Sequence, residues 1–161
     1  MRRPPVLCSP LPTTLILVDL SALASELTAC RRCPRLVEWR EQVATRRRAA
    51  FRDWDYWARP VPGFGDHRAR ILVVGLAPAA HGANRTGRMF TGDNSGAFLY
   101  RVLHATGFAS QPECRSRDDG MVLTDAYITA AVRCAPPDNK PSRDEIQACR
   151  GYLEQELDLL G

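Results

Sequence analysis

An α/β fold built on a parallel sheet is what this sequence predicts, and three observations predict it. Arg70-Ile71-Leu72-Val73-Val74-Gly75 is a short continuous apolar run, the pattern of a strand buried on both faces. Ser95 to Thr106 reads as a helix with Phe98, Leu99, Val102 and Leu103 as its apolar side. A second strand, at Met121-Val122-Leu123 or at the later Ala126 to Val132, precedes Ser142-Arg143-Asp144-Glu145, a capping box that opens a helix with Ile146, Leu153, Leu157 and Leu160 inward. Strand, loop, helix, strand, helix is the order of a βαβα unit, whose strands run parallel. Functional loops of such a sheet lie at the carboxyl ends of the strands, where residues 76–93 form a long polar, glycine-bearing loop.

The remaining elements follow along the chain. Residues 1–18, rich in proline at the start, read as a flexible tail, and 19–161 as a single domain, since 161 residues leave little room for a second. Asp19 or Ser21 caps a short helix through Leu27, followed by the tight turn Cys30-Arg31-Arg32-Cys33. Pro34 to Phe51 carries Leu36, Trp39, Val43 and Phe51 on one face and Arg46-Arg47-Arg48 opposite, a solvated face or a phosphate-binding one. Asp53 to Asp66 is aromatic and turn-rich, and Pro60, Pro62, Gly63 and Gly65 argue against regular structure there.

Composition narrows the function classes. With 45% hydrophobic and 25% charged residues, disorder and fibres are excluded. Of the 22 basic residues only Lys140 is lysine, and the net charge is +4. Guanidinium forks suit phosphate oxygens and base edges, so the balance leans toward a polyanionic partner. Arg2, Arg3 and the run Leu15-Ile16-Leu17-Val18 imitate an export segment, and Leu27-Thr28-Ala29-Cys30 imitates a lipoprotein box, but Asp19 and Glu26 interrupt them. No stretch approaches the roughly 20 apolar residues of a membrane span. The expected compartment is the reducing cytoplasm, where clustered cysteines serve metals more often than disulfides.

Two constellations carry chemistry. Cys30 and Cys33 form C-x2-C, 100 residues before Cys134, with Cys149 another 14 residues on. Together they make a candidate S4 site, open at this point to zinc, to an iron–sulfur cluster or to simple burial of four thiols. Cys8 and Cys114 lack partners at ligand spacing. The second is the run from Gly75 to Asp93. Its glycines allow close backbone approach to a ligand, yet it matches neither a P-loop nor a dinucleotide fingerprint.

Val61-Pro62-Gly63-Phe64-Gly65-Asp66, the run Gly75-Leu76-Ala77-Pro78-Ala79-Ala80-His81-Gly82-Ala83-Asn84-Arg85-Thr86-Gly87-Arg88, Phe90-Thr91-Gly92-Asp93, and Val132-Arg133-Cys134-Ala135-Pro136-Pro137 with Asn139-Lys140-Pro141 together resemble a type 5 (type B) uracil-DNA glycosylase, from about Ala29 onward. The resemblance implies a three-layer α/β/α sandwich with a central, mainly parallel sheet. It implies a [4Fe–4S] cluster on Cys30, Cys33, Cys134 and Cys149, with zinc the alternative that the spacing leaves open. It implies excision of uracil and other deaminated or etheno-modified bases from DNA; the expected partner is double-stranded DNA containing damaged bases, and the expected state a monomer. A non-catalytic iron–sulfur or zinc module that binds nucleic acid is the competing reading. The family's second motif, of His-Pro-Ser type, has no counterpart in this sequence, which reads as a member ending before its final strands.

Base excision requires a base held outside the stack in a snug pocket. On that reading Gly75, Leu76, Pro78, Ala79, Ala80 and Phe90 form the base pocket, with Phe90 as the stacking face and the backbone N–H groups of residues 76–80 facing the departing base. Ala77 occupies a position that is often polar in related types, so the chemistry falls to electrostatic stabilisation, with His81 and Asn84 as helpers. His81 alternatively braces the loop, and Asn84 reads a base edge. Arg85 and Arg88 are the expected phosphate contacts, and Asp93 a helix cap. Where the neighbouring type commonly carries asparagine, four residues before the third cysteine, this chain has Ala130.

Overall fold

The computed structural model describes residues 19–92 and 94–160, so the tail at 1–18, Cys8 and the capping role considered for Asp93 lie outside the described residues. Helix α1 spans Leu20–Thr28, and Asp19 rather than Ser21 caps it, its Oδ1 accepting from the Ala22 N–H at 2.7 Å. The cysteine turn delivers Pro34 to the first turn of α2 (Pro34–Arg46), where a missing N–H costs nothing. Helix α2 buries Leu36, Val37, Arg40 and Val43, so its inward stripe is rotated from the Leu36-Trp39-Val43 reading and contains an arginine.

Three strands form the sheet: β1 (Phe64–Gly65), β2 (Ile71–Gly75) and β3 (Ala126–Ala130), in the order β1-β3-β2. The expected parallel pair is present, β2 on β3 from Ile71↔Ala126 to Gly75↔Ala130. Strand β1 is antiparallel to β3 and arises at the end of the segment read as irregular, because Phe64 and Gly65 lie beyond its last proline and keep their N–H groups for pairing. Ala126 to Ala130, not Met121 to Leu123, supplies the second parallel strand; Leu123 makes only an isolated bridge to Ala109. Burial on both faces belongs to β3, which is central, whereas β2 lies at the edge of the described sheet with Ile71 and Val74 exposed. The entry to the parallel pair is pinned by Asp125, which pairs with the Arg70 guanidinium, accepts the Arg70 N–H at 2.9 Å and donates its own N–H to Asp66 at 3.0 Å.

The loop after β2 contains a short helix that the sequence reading missed, α3 (Ala83–Thr86), and α4 follows at Asn94–Ala105. Helix α4 turns Gly96, Tyr100 and Leu103 inward and leaves Phe98 and Val102 exposed, a correction to the predicted apolar side. The reason is a close approach: a Cβ at position 96 would lie 1.8 Å from the Phe90 carbonyl oxygen, so the helix meets the loop through its glycine. Tyr100, fully buried, completes that contact by donating its hydroxyl to the Met89 carbonyl at 2.7 Å.

Helix α5 (Arg143–Leu160) opens with the predicted capping box: Ser142 N–H donates to Glu145 at 2.7 Å and Glu145 N–H donates to Ser142 Oγ at 3.2 Å. Its buried residues are Glu145, Tyr152 and Glu156, while Ile146 and Leu157 are exposed. Two carboxylates face inward because each meets an arginine. Glu145 takes the Arg35 fork at 2.8 and 2.7 Å, and Glu156 takes the fully buried Arg133 fork at 2.9 and 2.5 Å and the Thr129 hydroxyl at 2.6 Å. The second pair ties β3 and the segment after it to α5. Leu23 and Leu27 of α1 pack on Tyr152, with Cys30, Cys149 and Leu159 around them.

Replacing Glu156 by leucine strands the Arg133 guanidinium in the interior. Urea unfolding should show a loss of about 3–5 kcal/mol, whereas Glu154→Ala, which removes an exposed partner of Arg150, should cost at most roughly 0.5 kcal/mol.

Candidate functional site

The carboxyl ends of β2 and β3 open into a pocket of ≈ 260 Å³. Gly75, Leu76, Ala77, Pro78, Ala79 and Phe90, all named from the sequence, line it together. Ala83, Met89, Thr91, Ser95, Ala130 and Asn139 complete the wall, and none of these was assigned a role from sequence. Asn139 lay within a quoted motif, but its place at the pocket depends on the turn after the third cysteine folding back over the strand ends. Among the described residues no carboxylate or imidazole lines this pocket, and its floor carries the methyl groups of Ala77, Ala83 and Ala130.

Phe90 is held rigidly against the pocket. Its φ of 55° is a left-handed conformation that a bulky residue rarely adopts, kept in place by the contacts with Gly96 and Tyr100. A Cβ on Gly75 would lie 3.0 Å from the ring, so only glycine at the end of β2 leaves the ring where it is. The carbonyls of Gly75 and Leu76 accept from Ala131 and Val132 at 2.8 and 2.9 Å. The N–H groups of Ala77, Ala79 and Ala80 find no acceptor among the described residues. A flat ring, a methyl floor and unengaged N–H donors suit a planar ligand that carries or acquires negative charge.

Three predicted residues lie elsewhere. Ala80 does not line the pocket. Asn84 is fully buried behind it, with Nδ2 donating to the carbonyls of Arg40 at 3.2 Å and Ala80 at 3.3 Å, so it braces the loop rather than facing a base. His81 also braces: Nδ1 meets the hydroxyl of buried Tyr56 at 3.0 Å, and its carbonyl accepts from Arg85 Nε at 2.8 Å. Burial, with Arg48 and Arg85 nearby, lowers the His81 pKa from its ordinary 6.5. The two predicted phosphate contacts turn inward as well. Arg85 is buried between the Phe51 and Trp54 rings, 4.1 and 4.0 Å from their centroids, and Arg88 stacks on Phe64 at 3.8 Å and donates to the Arg117 carbonyl. Aromatic faces outcompete solvent for these guanidinium planes. Arg46, Arg47 and Arg48 remain exposed, and the influence of Arg48 on His81 puts that run beside the loop.

The four spaced cysteines come together. Cys30, Cys33, Cys134 and Cys149 are all unbridged and line one small cavity with Leu27, Leu36, Val37, Val132 and Tyr152. Burial pushes the Cys134 thiol up to about 11 against the pull of Arg40, whose Nη1 donates to its Sγ at 2.9 Å. Burial raises Cys33 and Cys149 too. Among the described residues no three His, Cys, Asp or Glu side chains converge tightly enough for a single metal ion. Cys114 stands apart, packed on the main core, with its thiol raised by burial to about 12. No helix among the described residues is long and apolar enough to cross a membrane.

The sequence signature described as the Uracil DNA glycosylase superfamily matches residues 62–161, which hold the whole pocket and two of the four clustered cysteines. The chain belongs to the uracil-DNA glycosylase superfamily. It is similar to the type-5 uracil-DNA glycosylases of Thermus thermophilus (62% identical over 89% of this chain), Mycobacterium leprae (54% over 88%) and Pyrobaculum aerophilum (52% over 83%). It spans 64%, 62% and 58% of the lengths of those three relatives.

For this superfamily member the His81 environment fixes a pH behaviour. A folded-state pKa below 6.5 means the folded chain binds the proton less readily than the unfolded chain, so this group costs stability as pH falls below 6.5 and is neutral in its effect above it. An NMR titration should give a His81 midpoint below 6.5; a midpoint at or above that value would contradict the packing described here.

Proposed function

We propose that this chain acts as a uracil-DNA glycosylase, hydrolysing the N-glycosidic bond of uracil and other deaminated or modified bases in double-stranded DNA, as a cytoplasmic, monomeric base-excision enzyme. The observation that carries the reading is the Phe90 ring fixed over Gly75 at a pocket near the lower end of small-ligand sizes, roughly 300–1,000 Å³. A small slot with a flat ring on its wall supports a single flipped base as its occupant.

Phe90 stacks the extruded base, and the unengaged N–H groups of Ala77, Ala79 and Ala80 stabilise the anion that leaves. Ala77 and Ala130 offer no group to activate water, so the rate comes from charge stabilisation around an oxocarbenium-like sugar rather than from a side-chain base. Asn139, the one amide on the pocket wall, takes the base-edge role first given to Asn84. Asn84 and His81 act behind the wall by holding the loop. The exposed Arg46-Arg47-Arg48 run takes the DNA phosphates in place of the inward-turned Arg85 and Arg88.

Cys30, Cys33, Cys134 and Cys149 would hold a [4Fe–4S] cluster, whose contribution is structural cross-linking. The support for this is the meeting of four unbridged thiols at one small, apolar-lined cavity, a donor set that zinc would also accept. The proposal includes a three-layer α/β/α arrangement around this small, partly parallel sheet.

Single-turnover assays on a uracil-containing oligonucleotide test the proposal. The chain should release free uracil, and Phe90→Ala should slow release roughly 5- to 150-fold, the equivalent of about 1–3 kcal/mol of stacking. Affinity for undamaged duplex should barely change, because phosphates supply it. Duplex binding without any uracil release would replace the enzyme by a nucleic-acid-binding module.

A further inference from the structure

Arg40 is 2% exposed, yet it makes no ion pair with a carboxylate among the described residues. Its Nη1 donates to Cys134 Sγ at 2.9 Å, its Nη2 to the Cys30 carbonyl at 3.3 Å, and its Nε has no described partner. The other buried arginines show two forms of compensation: Arg133 holds both oxygens of Glu156, and Arg85 lies between the Phe51 and Trp54 rings, whereas Arg40 has neither a carboxylate nor a stacked ring among the described residues. A guanidinium does not shed its proton, and an uncompensated charge in the interior costs several kcal/mol. The charge that balances Arg40 therefore has to come from the group it faces, the four-sulfur cavity.

We propose that Arg40 is the counter-charge of an anionic cluster bound by Cys30, Cys33, Cys134 and Cys149, donating an N–H to the Cys134 thiolate and thereby raising the cluster's reduction potential. The inference rests on the cluster assignment made under the proposed function. Reduction adds negative charge to the cluster, so a fixed guanidinium and an N–H···S bond favour the reduced form over the oxidised one. The two contacts of Arg40 come from adjacent guanidinium nitrogens and need the planar fork, which lysine lacks. Arg40 is thus a positioning and tuning residue, with no contact to the base pocket.

The test is the reduction potential of the holoprotein, followed by EPR in a redox titration, for the unmodified chain, Arg40→Gln and Arg40→Lys. Arg40→Gln should shift the potential to more negative values and speed loss of the visible cluster absorbance to a chelator. Arg40→Lys keeps the charge but loses one of the two contacts, and should shift it in the same direction by a smaller amount. If Arg40→Gln does not fold, Arg40→Lys alone decides. Iron-loaded variants with the potential and chelator resistance of the unmodified chain would overturn the role of Arg40 while leaving the cluster in place. An unmodified chain without iron would overturn the cluster assignment, and the role of Arg40 with it.

Discussion

The convergence of four thiols is the constraint on which the rest of this structure depends. The described sheet pairs five residues of β2 with β3 and two of β1, too little to fix five helices. The C-x2-C turn between α1 and α2 meets the segment after β3 and the middle of α5, and Leu27, Leu36, Val37, Val132 and Tyr152 pack around the meeting point. A bond across it closes a loop of 100 residues between Cys33 and Cys134. Loop-closure entropy grows with loop length, so a cross-link there restricts the unfolded chain strongly.

The pocket inherits its geometry from that junction. Arg40 of α2 touches Cys134 with its guanidinium and accepts from Asn84 with its carbonyl, so one residue contacts both the sulfur cavity and the loop behind the pocket. Ala58 N–H donates to the Asn84 carbonyl and Trp57 N–H to the Arg85 carbonyl, laying the aromatic segment along α3. On the opposite side Gly96 and Tyr100 hold Phe90 in its left-handed conformation. The wall that receives a ligand is thus clamped between α2 and α4, and its rigidity is the kind of preorganisation that charge stabilisation in a methyl-lined site requires.

What the sequence made legible was local. The capping box at Ser142, the β2 strand and the loop at its carboxyl end rest on signals within a few neighbours, and each appears where the pattern put it, whereas half of the pocket lining was anticipated only through the family resemblance and the four cysteines through their spacing along the whole chain. What stayed hidden was set by partners far along the chain. Glu145, Glu156, Arg40 and Arg133 are charged residues buried because a group elsewhere answers each: Glu145 meets Arg35 from 110 residues away and Arg40 meets Cys134 from 94. Hydropathy cannot report such pairs, which is why the predicted inward faces of α4 and α5 were rotated. Strand order is equally non-local, and the exposed face of β2 follows from β3 lying at the centre. Asn84, Arg85 and Arg88 had side chains suited to a base or a phosphate, but a buried carbonyl and aromatic rings lay closer to them.

Metal analysis of anaerobically purified protein, paired with hydrogen exchange along α1 and α5, tests most directly whether the four thiols hold the fold through a cluster. Iron and acid-labile sulfide should be present in equal amounts, and removing the iron should expose the amides of the α1–α5 seam around Leu23, Leu27 and Tyr152 to exchange. A single zinc per chain, or a metal-free chain that keeps the seam protected, would contradict the account.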